Sequence, residues 1–127
     1  MIKVYIAGPY SSDNVLGVLG NIAAGMRMAS KLLQKGFAVF CPWTDHQLFF
    51  QLREGESVSL EVIQEHSMEW LKVADAVLVL QGYHASKGTL AEMKVAYSMD
   101  KPVFFNPCEL YRWAENESQT SEQYQGA

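Results

Sequence analysis

This sequence predicts an open, mainly parallel α/β sheet of four to five strands with helices on both faces. Three features of the chain predict it. Short apolar runs recur at Ile2–Ala7, which is β-branched, and at Phe37–Cys41, Ala76–Leu80 and Pro102–Phe105. Between them lie longer runs whose apolar positions repeat at helical spacing. The strand-like runs give way to turns holding glycine or proline, such as Gly8-Pro9, Pro42, Gly82 and Pro107.

Taken in order, Ile2–Ala7 is the first strand, and the polar turn Tyr10–Asn14 follows it. Residues 16–35 form a helix through Leu19, Ile22, Ala23, Met26, Ala29 and Leu33, and Lys35-Gly36 stops it. Phe37–Cys41 is the second strand, so this unit predicts two parallel strands joined by a right-handed crossover. Trp43–Glu56 is the least legible stretch: Asp45–Arg53 reads as a short helix and Glu54–Val58 as a loop. Ser59 opens a better helix that runs to Lys72, with Glu61 and Glu65 near its start. Ala76–Leu80 is the third strand, Leu90–Met99 a helix, and Pro102–Phe105 the fourth strand. A short helix over Glu109–Ala114 closes a single domain, 1–114, and the polar composition of 115–127 predicts a flexible tail.

Composition excludes several functions. The 127 residues suit one domain with a core of its own, and 49% of them are apolar. A net charge of −4 with no basic block argues against a protein that coats a nucleic-acid polymer. The two cysteines, Cys41 and Cys108, make no metal-binding pair and no disulfide framework, which fits a reducing compartment. No apolar run approaches the roughly 20 residues that span a bilayer. The amino terminus begins with a strand pattern rather than a signal-peptide layout. A soluble, cytoplasmic protein without a membrane contact is the expectation.

In open parallel sheets, ligands bind beyond the carboxyl ends of the strands, where the strand order reverses. That rule selects Gly8–Asn14, Pro42–His46, Gln81–Glu92 and Asn106-Pro107. The third of these is the most informative. Ala85-Ser86-Lys87-Gly88-Thr89 is a small turn between a strand and a helix, fit to present backbone N–H groups to an anion. It also delivers a carboxylate, Glu92, one turn later. Thr89-Leu90-Ala91-Glu92 matches a capping box as well, in which Glu92 merely starts the helix, and spacing leaves both roles open. Ser86 and Gly88 can bind phosphate or simply make a turn. Tyr5 packs in the core by default, yet its hydroxyl can reach a neighbouring carboxylate. Asp45 and His46 belong to a solvated loop or touch a ribose or base, while Trp43 and Tyr83 either stack on a base or cover the sheet edge. Asp75 sits at the wrong end of its strand for chemistry and reads as structural. His66 and His84 lack any metal-ligand spacing and read as surface or helix residues. Gly8-Pro9-Tyr10 is neither a P-loop nor a dinucleotide fingerprint, which disfavours ATP hydrolysis and dinucleotide binding.

These residues, read together, resemble a known group. Val4-Tyr5-Ile6-Ala7-Gly8-Pro9-Tyr10, Gly36–Pro42, Ala74-Asp75-Ala76-Val77, and Ser86-Lys87-Gly88 with Glu92 and Ala96 are similar to the nucleoside 2-deoxyribosyltransferase-like superfamily. The likeness covers about residues 2–106 and points to the small phage and bacterial branch of unknown function. Ser86-x-Gly88-x-x-x-Glu92 has the spacing of the deoxynucleoside 5′-monophosphate N-glycosidases. The resemblance implies a Rossmann- or flavodoxin-like fold and cleavage or transfer at an N-glycosidic bond through a covalent glycosyl intermediate. It implies Glu92 as nucleophile, Tyr5 as the residue orienting it, and Ser86 and Gly88 on the 5′-phosphate or 5′-hydroxyl. It also implies Gly8 as lining the ribose pocket; Pro9, Tyr10, Asp45, His46 and Asn106, in the segments beyond the carboxyl ends of the strands, are the further candidate substrate contacts.

One position departs from those relatives, which carry an aspartate eight residues before the aspartate of the third strand. Here that position is Ser67, between His66 and Met68. The departure keeps alive a second reading, a nucleotide-binding or sensor module without turnover. Gly88-Thr89-x-x-Glu92 also resembles the G-T-x-x-E of phosphoribohydrolases, but the P-G-G run that precedes it there is missing. The implied ligand is a small-molecule nucleoside or nucleotide, with no cofactor and no metal. The implied assembly is a homodimer or higher homo-oligomer.

Overall fold

The computed structural model describes residues 1–125. Its sheet has four strands among the described residues: β1 (Lys3–Ala7), β2 (Ala38–Phe40), β3 (Ala76–Val79) and β4 (Val103–Phe104). All pair in parallel, in the order β2-β1-β3-β4. The register places Val4 beside Val39, Tyr5 beside Val77, and Leu78 beside Phe104. The helices are α1 (Val15–Gln34), α2 (Asp45–Phe49), α3 (Leu60–Val73), α4 (Lys87–Ser98) and α5 (Pro107–Gln125), with single 3₁₀ turns at Pro42–Thr44 and Tyr83–Ala85. The expected Rossmann-like α/β fold is the one observed.

Strand alternation sorts the core into two layers. Val4, Ile6, Ala76 and Leu78 point to one face, where they meet Ala29 and Leu32 of α1 and Leu110 and Ala114 of α5. Tyr5, Ala7, Val77 and Val79 point to the other, against Leu71 and Ala74 at the end of α3 and Ala96 of α4. The central strands β1 and β3 are thus buried on both sides, as a parallel sheet requires.

Local chemistry fixes the ends of the elements. The Asn14 side chain caps α1 by accepting from Gly17 N at 2.8 Å. At the other end Gly36 takes φ +90°, and Phe37 N and Gly36 N return to Leu32 O and Leu33 O. Asp75 is structural, as its place in the chain predicts: its Oδ2 accepts from Lys3 N at 2.8 Å and locks the entry of β1 to that of β3. Lys101 Nζ donates to the carbonyls of Lys72 and Ala74 and so closes the end of α3.

Three elements differ from expectation. Helix α4 begins at Lys87 rather than Leu90, because Ser86 caps it through Thr89 N. The helix expected over Asp45–Arg53 ends at Phe49. The last helix does not stop at Ala114 but continues to Gln125, so the polar segment from Glu115 is helical there. Pro107 at its first position starts it, and no glycine or proline interrupts it before Gly126. The remainder of the expected tail, 126–127, lies outside the described residues.

Candidate active site

The strand order reverses between β1 and β3, since α1 leads from β1 to one side and the later strands build on the other. Tyr5 and Glu92 meet beside that line. Tyr5, fully buried, comes from the middle of β1 and points to the α3–α4 face. Glu92 comes from the second turn of α4. Because Ser86 rather than Thr89 caps α4, Glu92 has no capping duty, and its carboxylate faces the Tyr5 hydroxyl. Thr89 is itself buried, and its Oγ1 donates to Ser86 Oγ at 2.8 Å. Ser86 Oγ therefore accepts from both the amide and the hydroxyl of Thr89, which leaves its own hydrogen to donate outward.

The electrostatics of this pair are unusual. Burial pushes the Glu92 carboxyl up to about 7, and the Tyr5 hydroxyl pulls it back part of the way. Burial and the Glu92 charge both push the Tyr5 hydroxyl far above its ordinary range, with Ser67 opposing. The two groups sense each other, yet neither the Tyr5 hydroxyl nor Glu92 Oε2 completes a hydrogen bond of normal geometry. Two buried polar atoms facing each other incompletely bonded are costly to a fold and available to a ligand.

A second constellation lies on the β2 side. The Phe40 ring stacks on Tyr5 at 5.3 Å and on Trp70 at 5.6 Å, and His66 meets it edge-on at 6.1 Å. His66 Nε2 lies 3.8 Å from Asp45 Oδ1. Burial raises the Asp45 carboxyl, while His66 and His46 pull it down. Ser67, next in sequence to His66, is buried against the Tyr5 hydroxyl. Sequence reasoning placed Asp45 at the rim and read His66 as a surface or helix residue, which it is, on α3, but did not pair the two. No spacing in the chain could pair them, because they lie 21 positions apart on two different helices.

The other residues singled out from sequence divide between structure and surface. A Cβ on Gly8 would fall 3.0 Å from the Trp43 ring, so Gly8 lets that ring lie against the β1 turn. Trp43 is a core residue rather than a base-stacking one: it is 2% exposed, and its Nε1 donates to the Pro9 carbonyl at 3.1 Å. Tyr10 is exposed, and its carbonyl accepts from Asn21 Nδ2. His46 pairs through Nδ1 with the Trp43 carbonyl and accepts from Gln47 Nε2 at 3.0 Å. Gly88 faces open space at the start of α4. The Asn106 side chain accepts from Cys108 N at 2.8 Å and so caps α5. Tyr83 packs against His84 and Phe105.

Two surface hollows lie apart from Glu92. One of about 900 Å³ sits at the amino-terminal edge of the sheet, between Lys35, Phe37 and Tyr111. The other, of about 630 Å³, follows α3 past His66 and Met68. Among the described residues no three His, Cys, Asp or Glu side chains come together as metal ligands, and no helix is long and apolar enough to cross a membrane.

Comparison with known proteins bears on this geometry. The profile of a domain of unknown function, DUF4406, matches residues 2–105. Among curated proteins none matches the chain. Among solved structures, a conserved protein from Enterococcus faecalis V583 superposes with a TM-score of 0.56 at 23% identity, covering 81% of this chain and 61% of its own. A 2-deoxyribosyltransferase from the psychrotolerant bacterium Bacillus psychrosaccharolyticus superposes at 0.53 with 26% identity, covering 80% of this chain and 69% of its own. This chain is therefore shorter than both, spanning about two thirds of each. It belongs to the DUF4406 family, within the nucleoside 2-deoxyribosyltransferase-like superfamily.

Proposed function

We propose that this protein cleaves or transfers at the N-glycosidic bond of a nucleoside, deoxynucleoside or nucleoside 5′-monophosphate. Glu92 attacks the anomeric carbon and holds the sugar as a covalent intermediate, which water or a second base resolves. The observation that carries the reading is the placement of Glu92. Its carboxylate is buried beside Tyr5 at the switch point of the sheet, with the amino terminus of α4 just upstream. The likeness to a 2-deoxyribosyltransferase supports glycosyl transfer on a nucleoside at the level of reaction class.

Each part of the site has a physical task. The amides at the start of α4 and the outward hydrogen of Ser86 suit the 5′ end of the substrate, and Gly88 leaves room for it. Tyr5 orients the Glu92 carboxylate and favours its ionised form. The positive charge that develops on the sugar ring then stabilises that ionised form further. Gly8-Pro9-Tyr10 borders the ribose, with Asp45 and His46 at the opposite rim. The reaction requires no cofactor.

The test is chromatography of deoxynucleosides and their 5′-monophosphates incubated with the protein. Wild type releases free base, and a folded Glu92→Gln variant loses at least about 1,000-fold of that activity. Undiminished turnover by the variant, with its circular dichroism intact, would remove the assignment. One observation favours a second reading, a nucleotide-binding module without turnover: Ser67, an aliphatic hydroxyl, occupies a buried place beside Tyr5 where an acid would serve. Calorimetric nucleotide binding with no base released at high protein concentration would establish that alternative.

A further inference from the structure

Helix α1 carries two stripes of small and apolar side chains, and only one of them meets the rest of the chain. Gly25, Ala29 and Leu32 are buried, with Ile22 and Met28 packed against the core beside them. The second stripe is Leu16, Leu19, Ala23, Met26, Ser30 and Leu33, all exposed. Its leucines are 80%, 54% and 59% exposed in chain order. These positions fall 3, 4, 3, 4 and 3 residues apart. That alternation is the 3.5-residue period of a seam between two helices, and apolar residues scattered over a solvated face have no reason to keep it. The stripe runs nearly the whole length of α1, for about 25 Å. At about two and a half heptads it suits a contact between folded domains rather than a free-standing coiled coil.

The symmetry of the stripe indicates what covers it. Turned end for end about the point between Ala24 and Gly25, it falls on itself: Leu16 exchanges with Leu33, Leu19 with Ser30, and Ala23 with Met26. Two copies of α1 laid antiparallel therefore set leucine on leucine at both ends, and a large side chain against a small one between them. Gly20 supports a close approach. A Cβ there would meet nothing of its own chain within 4 Å, so the fold gives no reason for a glycine in mid-helix, where it costs helix stability. It lies between Leu19 and Ala23 in the chain, where a second backbone needs the space. Ser30, the polar member of the stripe, already accepts from Gln34 Nε2 at 3.4 Å and so brings a hydrogen-bond partner with it.

Charge agrees with this pairing. Antiparallel helices oppose their dipoles. The same register brings the exposed Asp13, just before α1 of one copy, beside the exposed Lys35 that ends α1 of the other. Arg27 borders the seam on each copy, and its long stem covers apolar surface while the guanidinium stays in water. We propose that this stripe is the contact between two copies of the chain, α1 against α1, antiparallel and crossing at about 20°. The pairing is independent of the glycosidic reading, since it requires no turnover.

Sedimentation velocity over a concentration series tests this on the full chain. Wild type forms pairs with a dissociation constant in the micromolar range. Leu19→Glu raises that constant at least about tenfold, with circular dichroism unchanged because the side chain is exposed in the single chain. Adding Ser30→Lys to that variant restores the pair, because the new ammonium of one copy meets the new carboxylate of the other. Within one chain the two positions are too far apart along the helix to meet. Cysteine cross-linking in a Cys108→Ser background reads the direction, since the remaining Cys41 is buried. Leu16→Cys mixed with Leu33→Cys gives a disulfide-linked pair, and neither variant does so alone. A wild type that stays single at every concentration, leaving the stripe to a helix of some other protein, overturns the proposal. So does a pair indifferent to Leu19→Glu. Cross-linking by either cysteine variant alone, or a pair that Ser30→Lys does not restore, overturns the antiparallel register.

Discussion

Tyr5 and Glu92 place two opposing demands on one spot. The nucleophile proposed here must be ionised, but burial holds the Glu92 carboxyl up to about 7 and favours its protonated form. The proposed turnover is therefore expected to rise as pH increases through about 7, on a limb set by Glu92. Tyr5 lowers that value through its hydroxyl, so Tyr5→Phe moves the limb to higher pH, by about half a unit or more, in a pH–rate profile. A limb that stays in place would show that the hydroxyl does not act on the carboxylate. Stability runs the opposite way. An acid whose value is raised in the folded state stabilises the fold fully below its ordinary 4.5, and that contribution is lost as pH rises to about 7. Glu92→Gln removes the loss, so urea denaturation at pH 8 finds the variant more stable by on the order of 2 kcal/mol. Near pH 4.5 the two proteins converge.

At the scale of the element, Trp43 shows how tightly a short turn is fitted to a long helix. Its indole lies flat on α1 at Gly25, where an added Cβ would come within 2.2 Å of the ring. Gly25→Ala gains helix propensity, but it must displace a buried aromatic side chain, and overpacking outweighs the gain. A net loss of about 2 kcal/mol is expected by thermal or urea denaturation. Unchanged stability would mean that the ring relocates without cost. The same contact shows where the sequence stops being legible. The strands, α1 and α3 could be placed from the spacing of apolar residues, because their period and their stops are local. Whether Trp43 was core or ligand platform depended on a glycine 18 positions upstream, which no local pattern reveals. The start of α4 was ambiguous for another reason: Ser86 and Thr89 are both competent caps three residues apart, and only tertiary burial of Thr89 chose between them. The Asp45–His66 pair was illegible altogether, being a meeting of two helices.

Across the whole molecule, several large apolar side chains are exposed. Helix α1 follows the carboxyl end of β1, and α2 follows that of β2. Leu16 and Phe50 are 80% and 74% exposed, and Val15, Leu48, Leu60 and Val62 are exposed as well. Side chains of this kind are covered in assemblies. We expect copies of the chain to associate through these side chains, several of which follow the carboxyl ends of β1 and β2, so that association and turnover are coupled. Light scattering after gel filtration should find more than one copy per particle. The double variant Leu16→Glu, Phe50→Glu should give single chains with reduced base release. A fully active single-chain wild type would refute the coupling. Both lateral strands of the sheet are short, three residues in β2 and two in β4. They offer only a scant row of unsatisfied amides and carbonyls to a neighbouring sheet, so runaway strand addition has little template and the chain resists fibre-like growth even when crowded.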